Sequence, residues 1–222
     1  MDKKFITCLF TLLIFLSVSN CYSIKEIALE EFKKTYNYLS ANQILYYGES
    51  NLDNDEELEK VIIILDGEYS FTKLLILKGN KIVASIEISE PYSKVLNVHY
   101  KDILNSGYNQ IIIEAYFETY DRGLGEVKAL SVSSYVNNSY KEIFYHEIED
   151  EYRDNIDGWR RLIKWDYSIT SGKNAKIVFT NTKNSLIDAN NKKLEPPRID
   201  KIEEYIWNGT EFKRVNWSIY RE

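Results

Sequence analysis

From Gln43 onward, apolar and polar positions alternate with a period of two, the spacing at which successive side chains of a strand point to opposite faces. The strand-like segments are QILYY, EKVIIIL, KLLILK, KIVASIEI, KVLNVHY, QIIIEAYF, VKALSVSSYV, YKEIFYHEI, RLIKWDYSI, AKIVFTN, IEEYIW and FKRVNWSIY. Turn chemistry joins several of them: KGNK (78–81), NNSY (137–140) and NGTE (208–211) are hairpin sequences. Ile82, Ala84, Ile86 and Ile88 fall on one face, as in an antiparallel meander covered on one side. Before Gln43 the period is helical. Ile24, Ala28, Phe32, Thr35 and Leu39 form one stripe, with Ile27 and Tyr36 beside it. Residues 24–40 are therefore expected to form a single amphipathic helix lying against the strands.

The strands group into three units, about 43–88, 93–148 and 159–219. Each holds a strand, an acidic or polar loop, a strongly apolar strand and then a hairpin. In the first unit these are the loop 48–58, EKVIIIL and the hairpin 72–88. In the second they are the loop 101–109, QIIIEAYF and the hairpin 127–148. In the third, DNIDG (154–158) and WRRLIKWDYSI fit the loop and apolar strand less well, while the hairpin 201–219 fits again. The stretch 183–198, KNSLIDANNKKLEPPR, reads as an exposed loop. The expected fold is mainly β, built of antiparallel four-stranded meander units with one N-terminal helix.

This organisation resembles the VCBS or FG-GAP type of β-propeller repeat. In that family a D-x-D-x-D-G-x-x-E loop precedes an apolar strand, and a hairpin with an NG-like turn follows. The resemblance covers residues 45–148 and the last hairpin. Three units are too few to close a propeller. It therefore implies an incomplete propeller, a stack of meanders plugged by the helix, or half of a dimeric ring. Open edges of such an array need covering or charge, and the outer segments carry scattered Lys and Glu.

The segment NLDNDEELEKVIIIL (51–65) carries the ligand pattern of that loop. Calcium takes six to eight oxygen ligands, and a tight loop turns alternate side chains inward. With Asn51 at position 1, Asp53 is at 3, Asp55 at 5, Glu57 at the backbone-carbonyl position 7 and Glu59 at 9. The departure is Glu56, where the family has glycine; positive φ there costs a Cβ residue on the order of 1 kcal/mol. The resemblance implies a structural calcium ion at Asn51, Asp53, Asp55, Glu57 and Glu59; the plain alternative is a solvated acidic turn. The second loop keeps Asp102 and Gly107 but has Leu104, Ser106 and Gln110 in ligand places, so it is expected to be metal-free.

Residues 1–20 read as a secretory signal: Lys3 and Lys4, then an apolar run from Phe5 to Val18, then small or polar residues. The run is short for a membrane span, and no later segment reaches the ~20 apolar residues a span needs. The chain is thus expected to be exported to the periplasm, the cell surface or the medium. VSNC (18–21) resembles a bacterial lipobox, with Asn20 as a departure, and SIKE (23–26) reads as a capping box that leaves almost no tether. The expected form is exported without lipid; lipidation of Cys21, the only membrane attachment foreseen, is the alternative. Beyond Cys21 there is no cysteine for a disulfide or thiol chemistry. Loss of residues 1–20 takes the net charge from −6 to −7, because Lys3, Lys4 and Asp2 leave together. That acidity disfavours nucleic acid as a partner.

Catalytic chemistry has little to build on. The two histidines, His99 and His146, sit in strand-like segments, and no G-x-S-x-G or H-E-x-x-H occurs. Glu114, Tyr116 and Glu118 share one strand face. Paired carboxylates beside an aromatic ring are a glycosidase arrangement, and equally the solvent face of a half-buried strand. WRRLIKW (159–165) puts Trp159, Arg161, Ile163 and Trp165 on one side. It is suited to gripping an anionic polymer, or to cation–aromatic stacking within the sheet. Sequons begin at Asn137, Asn208 and Asn216 and matter only in a eukaryotic pathway.

The reading is an exported, non-enzymatic binding protein that requires no cofactor, a structural calcium ion being the alternative at loop 51–59, with a protein or glycan of the cell envelope as partner. The resembled family includes adhesion and carbohydrate-contact modules and periplasmic inhibitors of cell-wall hydrolases. The alternatives are a glycan hydrolase built on Glu114 and Glu118, or a structural envelope component.

Overall fold

The computed structural model describes residues 26–28, 30, 41–66, 71–88, 92–119, 123–154, 157–196 and 200–219. The strands are β1 (Ala41–Ser50), β2 (Glu59–Asp66), β3 (Phe71–Lys78), β4 (Lys81–Glu87), β5 (Tyr92–Lys101), β6 (Gln110–Thr119), β7 (Gly123–Val136), β8 (Ser139–Asp154), β9 (Arg160–Thr170), β10 (Lys176–Ile187), β11 (Lys193–Leu194), β12 (Asp200–Trp207) and β13 (Phe212–Ile219). Every paired neighbour is antiparallel. β1–β4 form one sheet in chain order. β5–β10, then β12 and β13, form a second sheet, with the short β11 beside β10. The mainly β, antiparallel class expected from the period-two pattern is what the chain adopts.

The apolar runs are continuous because both faces of their strands are covered. On β2 and β3, Val61, Ile63, Leu74 and Ile76 pack against Ile111, Ile113 and Ala115 of β6. Their neighbours Ile62, Ile64, Leu75 and Leu77 point the other way, onto Ala28 and Ile27. Glu26–Ala28 and Glu30 are helical; Ala28 is buried while Glu26 and Glu30 are exposed. The rest of the helix expected over 24–40, the signal segment 1–20 and Cys21 lie outside the described residues.

β6 repeats the arrangement. While Ile111 and Ile113 face the first sheet, Ile112 joins Leu130, Val132, Phe144 and Ile148 in a cluster with Ile177 and Phe179 of β10. Ile112 and Phe179 are four strand steps apart in one sheet, a separation of about 19 Å if the sheet were flat. Sharing a core requires the sheet to fold back on itself. The bend falls at β8–β9, which pair only through Glu149–Arg153 and Arg160–Lys164. The strands therefore stack as three layers: β1–β4, β5–β8, and β9–β13.

In the first two layers the connection between the first two strands is a braced loop. Glu59 Oε2 accepts from the Leu52 amide at 2.7 Å. At the matching place Gln110 Oε1 accepts from the Ile103 amide at 2.7 Å and from Leu104 at 3.2 Å. The loops are tied edge to edge: the Asn109 amide donates to Asn51 O, and the Gly172 amide to Ile103 O, both at 2.9 Å. This last bond identifies 171–175, between β9 and β10, as the loop of the third layer. DNIDG instead lies in the connection between layers, because β8 extends to Asp154. Within the stretch 183–198, residues 183–194 are not a plain loop, since β10 runs to Ile187 and pairs with β11 around a turn at Asp188–Lys192.

Candidate functional site

Two places concentrate side-chain chemistry: a cleft at the β8–β9 fork and the acidic loop 51–59. The cleft follows from the bend. β8 and β9 pair at one end and then diverge, β8 following β7 and β9 following β10. The opening has a volume of about 340 Å³ and is lined by Tyr145, His146, Glu147, Asp150, Ile163 and Trp165.

Its aromatic wall is closely packed. His146 stacks on Phe179 with ring centroids 4.0 Å apart, and Trp165 meets the His146 ring edge-on at 5.7 Å. His146 Nδ1 lies 2.6 Å from Glu147 O, and Nε2 lies 3.1 Å from Glu203. Glu203 also accepts from the Tyr205 hydroxyl at 2.7 Å and pairs with Arg214 at 3.1 Å. Burial pushes the Glu203 carboxyl up. The hydrogen bonds from His146 and Tyr205, with the charges of His146 and Arg214, outweigh burial and hold it below the usual carboxylate range.

The cations of WRRLIKW are spent on β8. Arg160 pairs with Glu151 at 2.6 Å, Lys164 with Glu149 at 2.5 Å, and Arg161 with Asp150. Arg161 also lies over the Tyr152 ring, 6.0 Å from its centroid, and Trp159 packs on Tyr152 at 5.2 Å. The cation–aromatic account within the sheet describes this strand; a free anion grip does not. Ile163 and Trp165, placed on one side by alternation, both line the cleft. Tyr145 and Asp150 carried no signal in the sequence, because their role arises from strand divergence.

Glu114 is 9% exposed and bridges two layers, pairing with Lys128 at 2.5 Å and accepting from the Tyr167 hydroxyl. Burial raises its pKa, but the bonds from Lys128 and Tyr167 and the Lys128 charge outweigh that and lower it. A glycosidase acid needs the opposite shift. Glu118 lies on the same strand, opposite Glu126; its side chain is outside the described residues. His99 is exposed.

In the acidic loop, Asp53, Asp55 and Glu59 converge, with one oxygen from each lying within 4.8 Å of the others. Glu57, expected to offer only its carbonyl, is not among the three carboxylates, and Asn51 Oδ1 is buried without a hydrogen-bond partner. Asn51 Nδ2 donates to Asp55 O at 2.6 Å, and the Glu57 amide donates to Asp55 Oδ1 at 2.9 Å. Glu56 is not among the positive-φ residues, so the strain expected there is not incurred; Gly107, its counterpart, has φ 89°. The Lys78 ammonium stands between the carboxylates, 2.6 Å from Asp53, 2.5 Å from Asp55 and 3.5 Å from Glu59. Register places Lys78 directly across β2–β3 from Glu59. Asp53 also accepts from the Tyr140 hydroxyl at 2.9 Å and the Asp55 amide at 3.1 Å. With its oxygens so engaged and a lysine at the centre, this donor set does not fit a calcium ion. In the second loop Asp102 accepts from the Ser106 and Gly107 amides, both at 2.9 Å. No family model, no curated protein and no solved structure matches the chain.

Proposed function

We propose that the chain is an exported, non-enzymatic binding protein that contacts a neutral glycan of the cell envelope through the β8–β9 cleft. The cleft lining carries the reading: the Trp165 and Tyr145 rings beside the exposed Glu147 carboxylate, with Asp150 held by Arg161 at the cleft wall. Aromatic faces pack against the C–H faces of a sugar ring, and carboxylates accept from its hydroxyl groups. Glu147 at the mouth, with Arg160, Arg161 and Lys164 already paired to β8 carboxylates, disfavours an anionic ligand. Export rests on the signal-like segment 1–20. The inward pairing of Glu114 with Lys128 favours binding over hydrolysis.

The test titrates the purified protein with soluble neutral cell-wall oligosaccharides, following tryptophan fluorescence. Saturable binding is expected, lost in Trp165→Ala and kept in Trp159→Ala, with circular dichroism confirming that both variants are folded. Absence of saturable binding overturns the reading. Glycan turnover abolished by Glu114→Gln replaces it with the hydrolase alternative. Recovery of a cell-wall hydrolase from envelope extract, without glycan binding, makes that enzyme the partner.

A further inference from the structure

The acidic loop has the form of a metal site, yet its centre is filled from within the chain. We propose that loop 51–59 is a cation site whose cation is built in: the Lys78 ammonium takes the ion's place and makes the loop independent of calcium. Lys78 Nζ touches all three converging carboxylates, at 2.6, 2.5 and 3.5 Å. Glu59 is 0% exposed, and its Oε1 has no hydrogen-bond partner. The Lys78 charge answers that buried oxygen, which in a metal loop would face the ion. The second loop meets the same need differently. Gln110 replaces Glu59, and its amide nitrogen donates to Ser106 Oγ at 3.3 Å and Tyr108 O at 3.1 Å. Each loop thus fills its interior with a protein donor. An ammonium and a calcium ion cannot share one set of carboxylates, so the lysine excludes the metal.

The site is tested with calcium chloride alone, against EDTA. For the wild-type protein the thermal midpoint is expected to differ by about 1 °C or less between the two. Lys78→Met empties the centre. Its midpoint in EDTA should fall, and calcium should then raise it by about 5 °C or more. Calorimetry should show one calcium site about ten-fold or more tighter than any in the wild type, lost again in Lys78→Met/Glu59→Gln. Calcium stabilisation of the wild type as large as that of the variant overturns the proposal. So does a folded Lys78→Met protein that gains no calcium affinity. A measurement on the wild type decides the matter even if the variant does not fold. Acetylation of Lys78, followed by mass spectrometry, should be about ten-fold slower than that of the exposed Lys81. Equal rates overturn the proposal.

Discussion

The imidazole of His146 lies flat on Phe179, with ring centroids 4.0 Å apart and planes 12° apart, while its Nε2 stands 3.1 Å from Glu203. β8 and β10 are separated in the sheet by β9, so this contact exists only because the sheet folds over. The carboxylate that anchors the ring thereby also locks the second layer to the third.

Acid should loosen that lock. Glu203 is held below the ordinary glutamate range. Its stabilisation is present above the unfolded-state pKa of about 4.3 and is lost as pH falls through the lower folded value. Asp53 and Glu114, also lowered, act with the same sign. The thermal midpoint is expected to be flat from about pH 7 to 5 and to drop steeply below about pH 4. Glu203→Gln should lower the midpoint at neutral pH and shallow the acid limb, read by calorimetric scans across pH.

The paired loop braces predict unequal outcomes at equivalent positions. Gln110→Leu leaves the amides of Ile103 and Leu104 without their acceptor and should cost about 2–3 kcal/mol in urea unfolding. Glu59→Gln keeps an acceptor for Leu52 and removes a buried charge, so it should change stability by about 1 kcal/mol or less near pH 7.

That substitution should also alter the acid limb. Burial pushes the Glu59 carboxyl up, the Leu52 amide pulls it part-way back, and the Asp53 charge adds to the rise. A raised acid contributes more stability as pH falls through its folded pKa. Glu59→Gln should therefore make the acid decline steeper, the reverse of Glu203→Gln.

The interlayer cores should dominate stability. Ile113 is buried between the first and second layers. Ile113→Ala should cost about 3–4 kcal/mol, whereas Val83→Ala, at a site 41% exposed, should cost about 0.5 kcal/mol or less. Chemical denaturation of the two variants measures the contrast.

The β7–β8 turn offers a gain. Asn137 and Asn138 both have positive φ, 53° and 60°, and Val136 pairs with Ser139 across them. This is a two-residue turn that favours Asn-Gly. Asn138→Gly should stabilise by about 0.5 kcal/mol, and Asn138→Val should destabilise by about 1–2 kcal/mol, both read as shifts in the thermal midpoint.

The sequence alone determined most of the strands, their antiparallel class and the hairpin turns at 78–81, 137–140 and 208–211. Period-two alternation and local turn residues are short-range properties, written in adjacent letters. It also marked Asn51, Asp53, Asp55, Glu57 and Glu59 as one ligand set, of which the carboxylates of Asp53, Asp55 and Glu59 converge. Tertiary structure decided what fills that convergence: Lys78, opposite Glu59 in the ladder and 23 residues from Asp55 in the chain. It decided, too, that the sheet bends at β8–β9, which moved the third loop to 171–175 and opened the cleft beside Trp165. Pairing across layers depends on side-chain volume and the twist accumulated over many strands, and no local pattern encodes those sums.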